Sequence, residues 1–248
     1  MLNRSYDHFH LKLNGVDFVY TYIRKNACSS FKNLFAAKSP MKKYLNNGQK
    51  IHPFMVKYHK VDLIKEIKAF ENRIAIIRNP CSRVVSAYLN QFIQNFSKGQ
   101  RSNMYNSIKD SIDISPNLLT FRVFLSEYLT KTDYDNLDCH FWSQKEHLAP
   151  VKYNHLWLLD SLYESAKHLF GKKVADQFFS KKVNATSSIK KYDDDAADLP
   201  AYKIYDRFIE EGSLPSVSAF FVDDLDVIIH EIYASDFELF EQVKSQSY

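Results

Sequence analysis

The stretch RIAIIRNPCSRVVSAYLNQF, residues 73–92, decides the fold class of this chain. Its residues 74–77 form a short continuous apolar run, which is typical of a strand buried on both faces of a parallel sheet. Asn79 is a good N-cap, and Pro80 stands at the first helical position, where its missing N–H costs nothing. An apolar stripe at helical spacing then follows: Val84, Val85, Tyr88, Leu89, Phe92 and Ile93. The stretch therefore predicts a buried strand that turns directly into an amphipathic helix.

A second stretch, residues 16–35, has the same layout. A β-rich run, residues 16–23, ends in the cations Arg24 and Lys25, and a helix with Phe31, Leu34 and Phe35 on one face begins near residue 27. Loops that cradle nucleotide phosphates have this strand–turn–helix order, but they carry glycine where the backbone wraps the anion. No glycine lies between Gly15 and Gly48.

Both strand–helix turns carry cations, Lys25 in the first and Arg78 in the second. In a parallel α/β sheet the carboxyl ends of the strands share one edge, and ligands bind in the crevice outside it. Helix N-termini there add free N–H groups and a positive dipole end. Ser82 and Ser86 lie one helical turn apart on the second helix. The pattern predicts a site for a ligand with two anionic groups.

The rest of the chain fits one α/β domain over residues 1–248. The polar residues 38–60 are expected to form a loop, with Asn46-Asn47-Gly48 and Pro53 among its signals, and the periodic residues 61–71 predict a helix with an apolar face. Residues 97–117 are polar and are expected to form a surface excursion, whereas residues 217–241 predict helices. The net charge of +4 is too small for a typical nucleic-acid binder. Three widely spaced cysteines indicate neither a disulfide framework nor a structural zinc site. Without a signal-peptide pattern or an 18-residue apolar run, we expect a cytoplasmic protein.

Several segments resemble sulfotransferases, in the order expected for that family. YIRKNACSSFKNLF is similar to their 5′-phosphosulfate-binding segment, and IAIIRNPCSRVVSAYLNQF to their 3′-phosphate-binding segment. Three further stretches resemble the membrane-anchored carbohydrate sulfotransferases: NLDCHFWSQKEHLAP, LLDSLYES and IYASDFELF. The resemblance implies a P-loop-NTPase-like three-layer α/β fold with a central, mainly parallel sheet flanked by helices and a helix-rich C-terminal part. The chain has no anchor helix, which suggests a bacterial-type relative.

The resemblance also implies a donor, 3′-phosphoadenosine 5′-phosphosulfate, with 3′,5′-bisphosphoadenosine as product and no metal. Lys25 would neutralise the bridging oxygen, and Arg78 and Ser86 would bind the 3′-phosphate. Asn184 and Ser188 resemble a loop that closes over the nucleotide. The residues assigned to the 5′-phosphosulfate are Arg24, Lys25, Asn26, Ala27, Cys28, Ser29 and Ser30.

The acceptor implied is a carbohydrate or glycolipid hydroxyl, with peripheral contact to a membrane-borne acceptor as one possibility. Such a hydroxyl needs a general base, and histidine suits that role near neutral pH. His59 resembles the base of uronyl 2-O-sulfotransferases, and His140 lies in the D-x-H-x-W stretch; a structural role is open for each. A metal site built from Cys139, His140 and His147 is rejected because its spacing matches no standard set.

Some residues depart from the family pattern, and two other functions stay open. Arg24 stands where proline is usual, Asn79 where aspartate is usual, and Asp160 where glutamate is usual. The alternatives are another nucleotide-dependent, kinase-like transferase and a non-catalytic relative that binds a nucleotide or a glycan. The lack of a G-x-x-x-x-G-K-(S/T) pattern argues against the kinase-like alternative.

Overall fold

The computed structural model describes residues 7–180 and 189–246. Its strands are β1 His8–Leu13, β2 Val16–Thr21, β3 Asn72–Ile77, β4 His155–Leu158, β5 Lys190–Tyr192 and β6 Ser213–Pro215. Its α-helices are α1 Cys28–Lys38, α2 Ile51–His59, α3 Ile64–Ala69, α4 Pro80–Ala87, α5 Asn103–Ser111, α6 Phe121–Val123, α7 Leu162–Phe170, α8 Lys172–Phe178, α9 Ala201–Glu211, α10 Leu225–Ile232 and α11 Ala234–Ser245. Two π-helical segments, Tyr88–Ile93 and Phe124–Leu129, continue α4 and α6.

The described residues fall into two compact units. The first unit comprises residues 7–78, 144–180 and 239–246, and the second comprises residues 79–143 and 189–238. Each unit has its own hydrophobic core. The assignment of the whole chain to a single domain stays a prediction.

A four-stranded sheet in the order β1-β2-β3-β4 forms the centre of the first unit. β1 and β2 are antiparallel and are joined by Asn14 and Gly15, which both have positive φ, as the favoured two-residue hairpin turn requires. β2, β3 and β4 are parallel, with Thr21 opposite Ala75 and Ile77 opposite Leu158. The carboxyl ends of β2 and β3 therefore lie side by side, as predicted for neighbouring parallel strands.

Apolar side chains cover both faces of this sheet. Phe18, Tyr20, Ile74 and Ile76 belong to one cluster with buried residues of α1, α7 and α8. On the alternate positions, Ile77 clusters with Ile23 and with Leu239 and Val243 of α11. Because side chains alternate along a strand, this double coverage explains the uninterrupted apolar run of β3. The predicted α/β class, with a mostly parallel central sheet flanked by helices, is confirmed.

The second unit is built around the predicted apolar stripe of α4 and its π-helical continuation. All six residues of that stripe are buried in one cluster. The segment expected to be a surface excursion contains α5, whose Met104 and Ile108 are buried in the same cluster. A parallel pair of short strands, β5 and β6, completes the unit.

Two local predictions differ from the structure. Residues 38–60 were expected to form a loop, but they contain α2, whose Phe54 and Met55 are buried. Pro53 is tolerated in this helix because it lies in the first helical turn. The helix predicted at 61–71 is shorter, and Leu63 and Ile64 are exposed instead of facing the core. No helix among the described residues is both long and apolar enough to cross a membrane.

Candidate anion-binding site

The first turn, residues 24–30, leads from the end of β2 into α1 without a glycine. Lys25 has φ 69° and Ala27 has φ 55°, so two non-glycine residues adopt the left-handed conformation. Ala27 occupies the N-cap position, and no side chain caps the helix. Left-handed backbone costs an L-residue roughly 1–2 kcal/mol. Strain of this kind clusters at ligand-binding sites, and alternating backbone handedness turns successive N–H groups into an anion-binding concavity.

The N-terminus of α1 leaves hydrogen-bond donors open. The N–H groups of Ser30 and Phe31 donate to the carbonyl of Ala27 at 2.9 and 3.4 Å. Within the described chain, the N–H groups of Cys28 and Ser29 have no main-chain acceptor, as expected for the first helical residues. The buried hydroxyl of Ser30 also lacks a partner among these residues. These unsatisfied groups fit the oxygen atoms of a bound anion.

Asn26 has a structural role inside the first turn. Its N–H donates to the carbonyl of Ile23 at 3.3 Å, and its side-chain amide donates to the carbonyl of Ile76 at 2.7 Å. The same amide also donates to Oε1 of Gln144. Asn26 is fully buried, so its donors are already used within the protein. It therefore connects the first turn to β3 and offers an anion little by itself.

Gln144 is the residue that sequence reasoning missed. It is fully buried, and its Oε1 accepts the N–H of Arg78 at 2.9 Å while its Nε2 donates to the carbonyl of Arg78 at 2.9 Å. Together with the bond from Asn26, one side chain joins both cationic turns. The only sequence signal was its place at the end of the D-x-H-x-W-x-Q stretch.

Two further contacts fix the cations of the site. The guanidinium of Arg78 donates through Nη1 to the carbonyl of Lys25 at 3.0 Å, so the structure brings these two predicted residues together. The guanidinium of Arg24 lies 5.6 Å from the centre of the Tyr22 ring, within cation–π range. Burial raises the pKa of the Tyr22 hydroxyl well above its usual value, so that group stays protonated.

The second turn begins with Arg78 directly after β3, and the side chain of Asn79 caps the helix that follows. Oδ1 of Asn79 accepts the N–H of Ser82 at 3.1 Å, and Pro80 occupies the first helical turn, as predicted. Ser82 and Ser86 are half-buried on α4. These residues belong to the second unit and are described within it.

His59 lies away from Lys25. Its Nδ1 bonds to the carbonyl of His10 at 2.9 Å and its Nε2 to the hydroxyl of Ser39 at 2.8 Å. Ser39 follows the last residue of α1, whereas Lys25 precedes the first, so about 16 Å of helix separates them. Burial lowers the pKa of His59, which keeps the ring neutral. The structure does not bring the two predicted residues together.

His140 has a different environment in the second unit. Its Nδ1 bonds to Oδ1 of Asp138 at 2.7 Å, and the side chain stays partly exposed. The carboxylate fixes the tautomer in which Nε2 can accept a proton. Donor atoms of Asp138, Cys139 and His140 lie within 4.8 Å of one another. Three donors are fewer than structural zinc uses, and two of them already share a hydrogen bond.

Two segments of the sequence resemblance contact each other in the second unit. Ser143 donates to Oδ1 of the buried Asp236 at 2.6 Å, and the hydroxyl of Tyr233 donates to the carbonyl of Phe141 at 2.5 Å. These two hydrogen bonds connect the D-x-H-x-W stretch to the C-terminal stretch IYASDFELF. The predicted nucleotide-closing residues, Asn184 and Ser188, lie outside the described residues.

Comparison with known proteins gives one match. The model of the family described as "Sulfotransferase family" matches residues 14–241, which is most of the chain. Neither the curated proteins nor the solved structures contain a match.

Proposed function

The chain belongs to the sulfotransferase family, and from this premise we propose that it transfers a sulfuryl group from 3′-phosphoadenosine 5′-phosphosulfate to a hydroxyl of a carbohydrate or glycolipid. Family membership makes the chain a transferase of sulfuryl groups. The proposal concerns the donor, the acceptor and the roles of individual residues. The observation that carries it is the first turn, whose left-handed backbone and open donors suit a phosphosulfate.

The protein's part in the transfer is positioning and charge stabilisation. The donor supplies an activated sulfuryl group attached to a phosphate leaving group. The N–H groups of Cys28 and Ser29 hold the 5′-phosphate, and the ammonium of Lys25 stabilises negative charge on the bridging oxygen as the bond breaks. The side chains of Ala27 and Cys28 are small and leave space for the phosphate beside the backbone, as glycine does in other phosphate loops. Arg78 and Ser86 bind the 3′-phosphate in this proposal.

The acceptor hydroxyl gives its proton to His140 in our proposal. Nδ1 of His140 is held by Asp138, which leaves Nε2 as the basic atom, an arrangement familiar from histidine bases oriented by a carboxylate. His59 has both ring nitrogens in hydrogen bonds and is buried. The structural role that the sequence left open therefore suits His59 better.

The donor is tested by thermal stabilisation of the purified chain. We expect 3′,5′-bisphosphoadenosine to raise the melting temperature, because a ligand that binds only the folded state stabilises it. ATP with Mg²⁺ is the comparison ligand. Stabilisation by ATP with Mg²⁺, and none by the bisphosphate, would favour the kinase-like alternative and refute the proposed donor.

The acceptor and the base are tested by transfer of labelled sulfate. A panel of sugars, glycolipids and phenols identifies the acceptor class, and activity on phenols alone would refute a carbohydrate acceptor. We expect His140→Gln to lower turnover by roughly 10²–10⁴-fold with unchanged bisphosphate affinity, the usual range for a general base. His59→Gln serves as the matched control, and we expect it to lower the melting temperature and to leave turnover unchanged. The reverse pattern would assign the base to His59.

A further inference from the structure

A long stretch of the first unit contains no acidic residue. Between Asp17 and Asp62 the chain carries nine lysines and arginines and no aspartate or glutamate. This stretch alone has a charge of +9, so the remainder of the chain has a net charge of −5. A chain with a mild overall charge thus concentrates its positive charge in one segment. Only Arg24 and Lys25 of these nine residues lie in the first turn.

Within this stretch, aromatic rings hold lysine side chains in place. Tyr44 and Tyr58 stack with ring centres 5.6 Å apart and planes 17° from parallel. The ammonium of Lys43 lies 5.0 Å from the centre of the Tyr44 ring, and that of Lys57 lies 5.1 Å from the Tyr58 ring. We call Lys42, Lys43, Tyr44, Lys57 and Tyr58 the Lys–Tyr face.

The Lys–Tyr face is exposed, and its charges are uncompensated. Tyr44 is 48% exposed, and Lys42, Lys43 and Lys57 are exposed as well. Across the described residues, no ion pair involves Lys42, Lys43 or Lys57. An exposed tyrosine ring among lysines forms an amphipathic surface of the kind that lies at the boundary of a lipid bilayer.

We propose that the Lys–Tyr face docks this protein on a membrane surface that contains anionic lipids. Lysines attract anionic headgroups, and Tyr44 enters the interfacial region, where tyrosine is enriched. A glycan is the less suitable occupant, because sugar rings stack on open aromatic faces. Here one face of each ring is covered by the other tyrosine, and a lysine ammonium lies near each ring. The inference involves no step of the reaction.

The test is sedimentation of the full-length chain with lipid vesicles. We expect binding to vesicles of phosphatidylcholine with phosphatidylglycerol, weakened by salt, and little binding to phosphatidylcholine alone. The triple variant Lys42→Gln, Lys43→Gln and Lys57→Gln should weaken binding on the order of a hundredfold, since each lysine near an anionic surface contributes about fivefold. Tyr44→Ser should weaken it severalfold.

A control variant with the same net charge separates a specific face from general charge. Lys167→Gln, Lys172→Gln and Lys173→Gln alter α7 and α8, where Lys167 and Lys172 have carboxylate partners, and should leave vesicle binding unchanged. Equal loss in both triple variants would overturn the proposal, as would absence of binding to anionic vesicles. Binding of an acidic polysaccharide through the same lysines, without vesicle binding, would also overturn it. An unchanged melting temperature verifies that each variant is folded.

Discussion

The two cationic turns differ in how the free N–H groups at the start of the following helix are satisfied. At the second turn, Asn79 accepts the N–H of Ser82, so the helix satisfies part of its own donors. At the first turn, Ala27 offers no cap, its backbone is left-handed, and donors stay open. A helix start without a cap and with strain is less stable locally but better prepared for an anion. The first turn is therefore the better candidate for the reacting phosphosulfate, and the second for a distal anchor.

Among changes to the two turns, the largest expected effect comes from the charge in the first turn. Lys25→Ala should lower sulfate transfer by roughly 10²–10³-fold, the usual cost of removing one group that stabilises transition-state charge. Affinity for 3′,5′-bisphosphoadenosine should also fall, because the bridging oxygen carries its full negative charge in the 5′-phosphate of the product. Lys32→Ala, in α1 and outside the turn, is the control. Full turnover in the Lys25 variant would show that this lysine does not stabilise the transition state of sulfuryl transfer.

The connection between the turns gives the next largest effect. Gln144→Leu removes the Oε1 acceptor of the Arg78 N–H, the donor to the Arg78 carbonyl and one of the two acceptors of the Asn26 amide, and each such loss costs about 1–3 kcal/mol. We expect the free energy of unfolding to fall by about 3 kcal/mol or more, measured by urea denaturation. Gln177→Leu, on the exposed side of α8, should change it by less than about 0.5 kcal/mol. Similar values for both variants would show that Gln144 does not hold the turns together.

How far the sequence predicts this structure depends on the range of the interactions. The strand β3 and the helix α4 follow from local signals: an apolar run, a cap and a proline within a few residues. The helix α2 was missed because Pro53 and the preceding asparagines and glycine are equally local signals for a loop. Its buried Phe54 and Met55 depend on packing against distant residues.

The candidate site shows the same limit. The cations Lys25 and Arg78 are predictable, since each follows a recognisable strand. The role of Gln144 depends on a partner 66 residues away, and no local pattern encodes that contact. The left-handed conformation of Ala27 runs against its intrinsic preference, so only tertiary structure can impose it. Likewise, the sequence around His59 does not indicate that both ring nitrogens form hydrogen bonds, one with Ser39 and one with His10.

The second turn is tested through its arginine. Arg78→Lys keeps the charge but loses the planar fork that suits a phosphate. We expect the dissociation constant of 3′,5′-bisphosphoadenosine to rise roughly tenfold to a hundredfold, the range for a lost charge-assisted bond. Adenosine 5′-phosphosulfate, which lacks the 3′-phosphate, should bind equally well to both forms. If both ligands weaken alike, Arg78 acts by holding Lys25 and does not select the 3′-phosphate.

The smallest effect tests the strain of the first turn directly. Ala27→Gly should raise the free energy of unfolding by about 0.5–1 kcal/mol, because glycine accepts positive φ and the relief exceeds its entropic cost. Ala36→Gly, within α1, should lower it by about 1 kcal/mol, since glycine disfavours a regular helix. Asn79→Ala should also lower it by about 1 kcal/mol through loss of the cap. A destabilised Ala27 variant would mean that the turn is relaxed, and the contrast between the two helix starts would then rest on their donors alone.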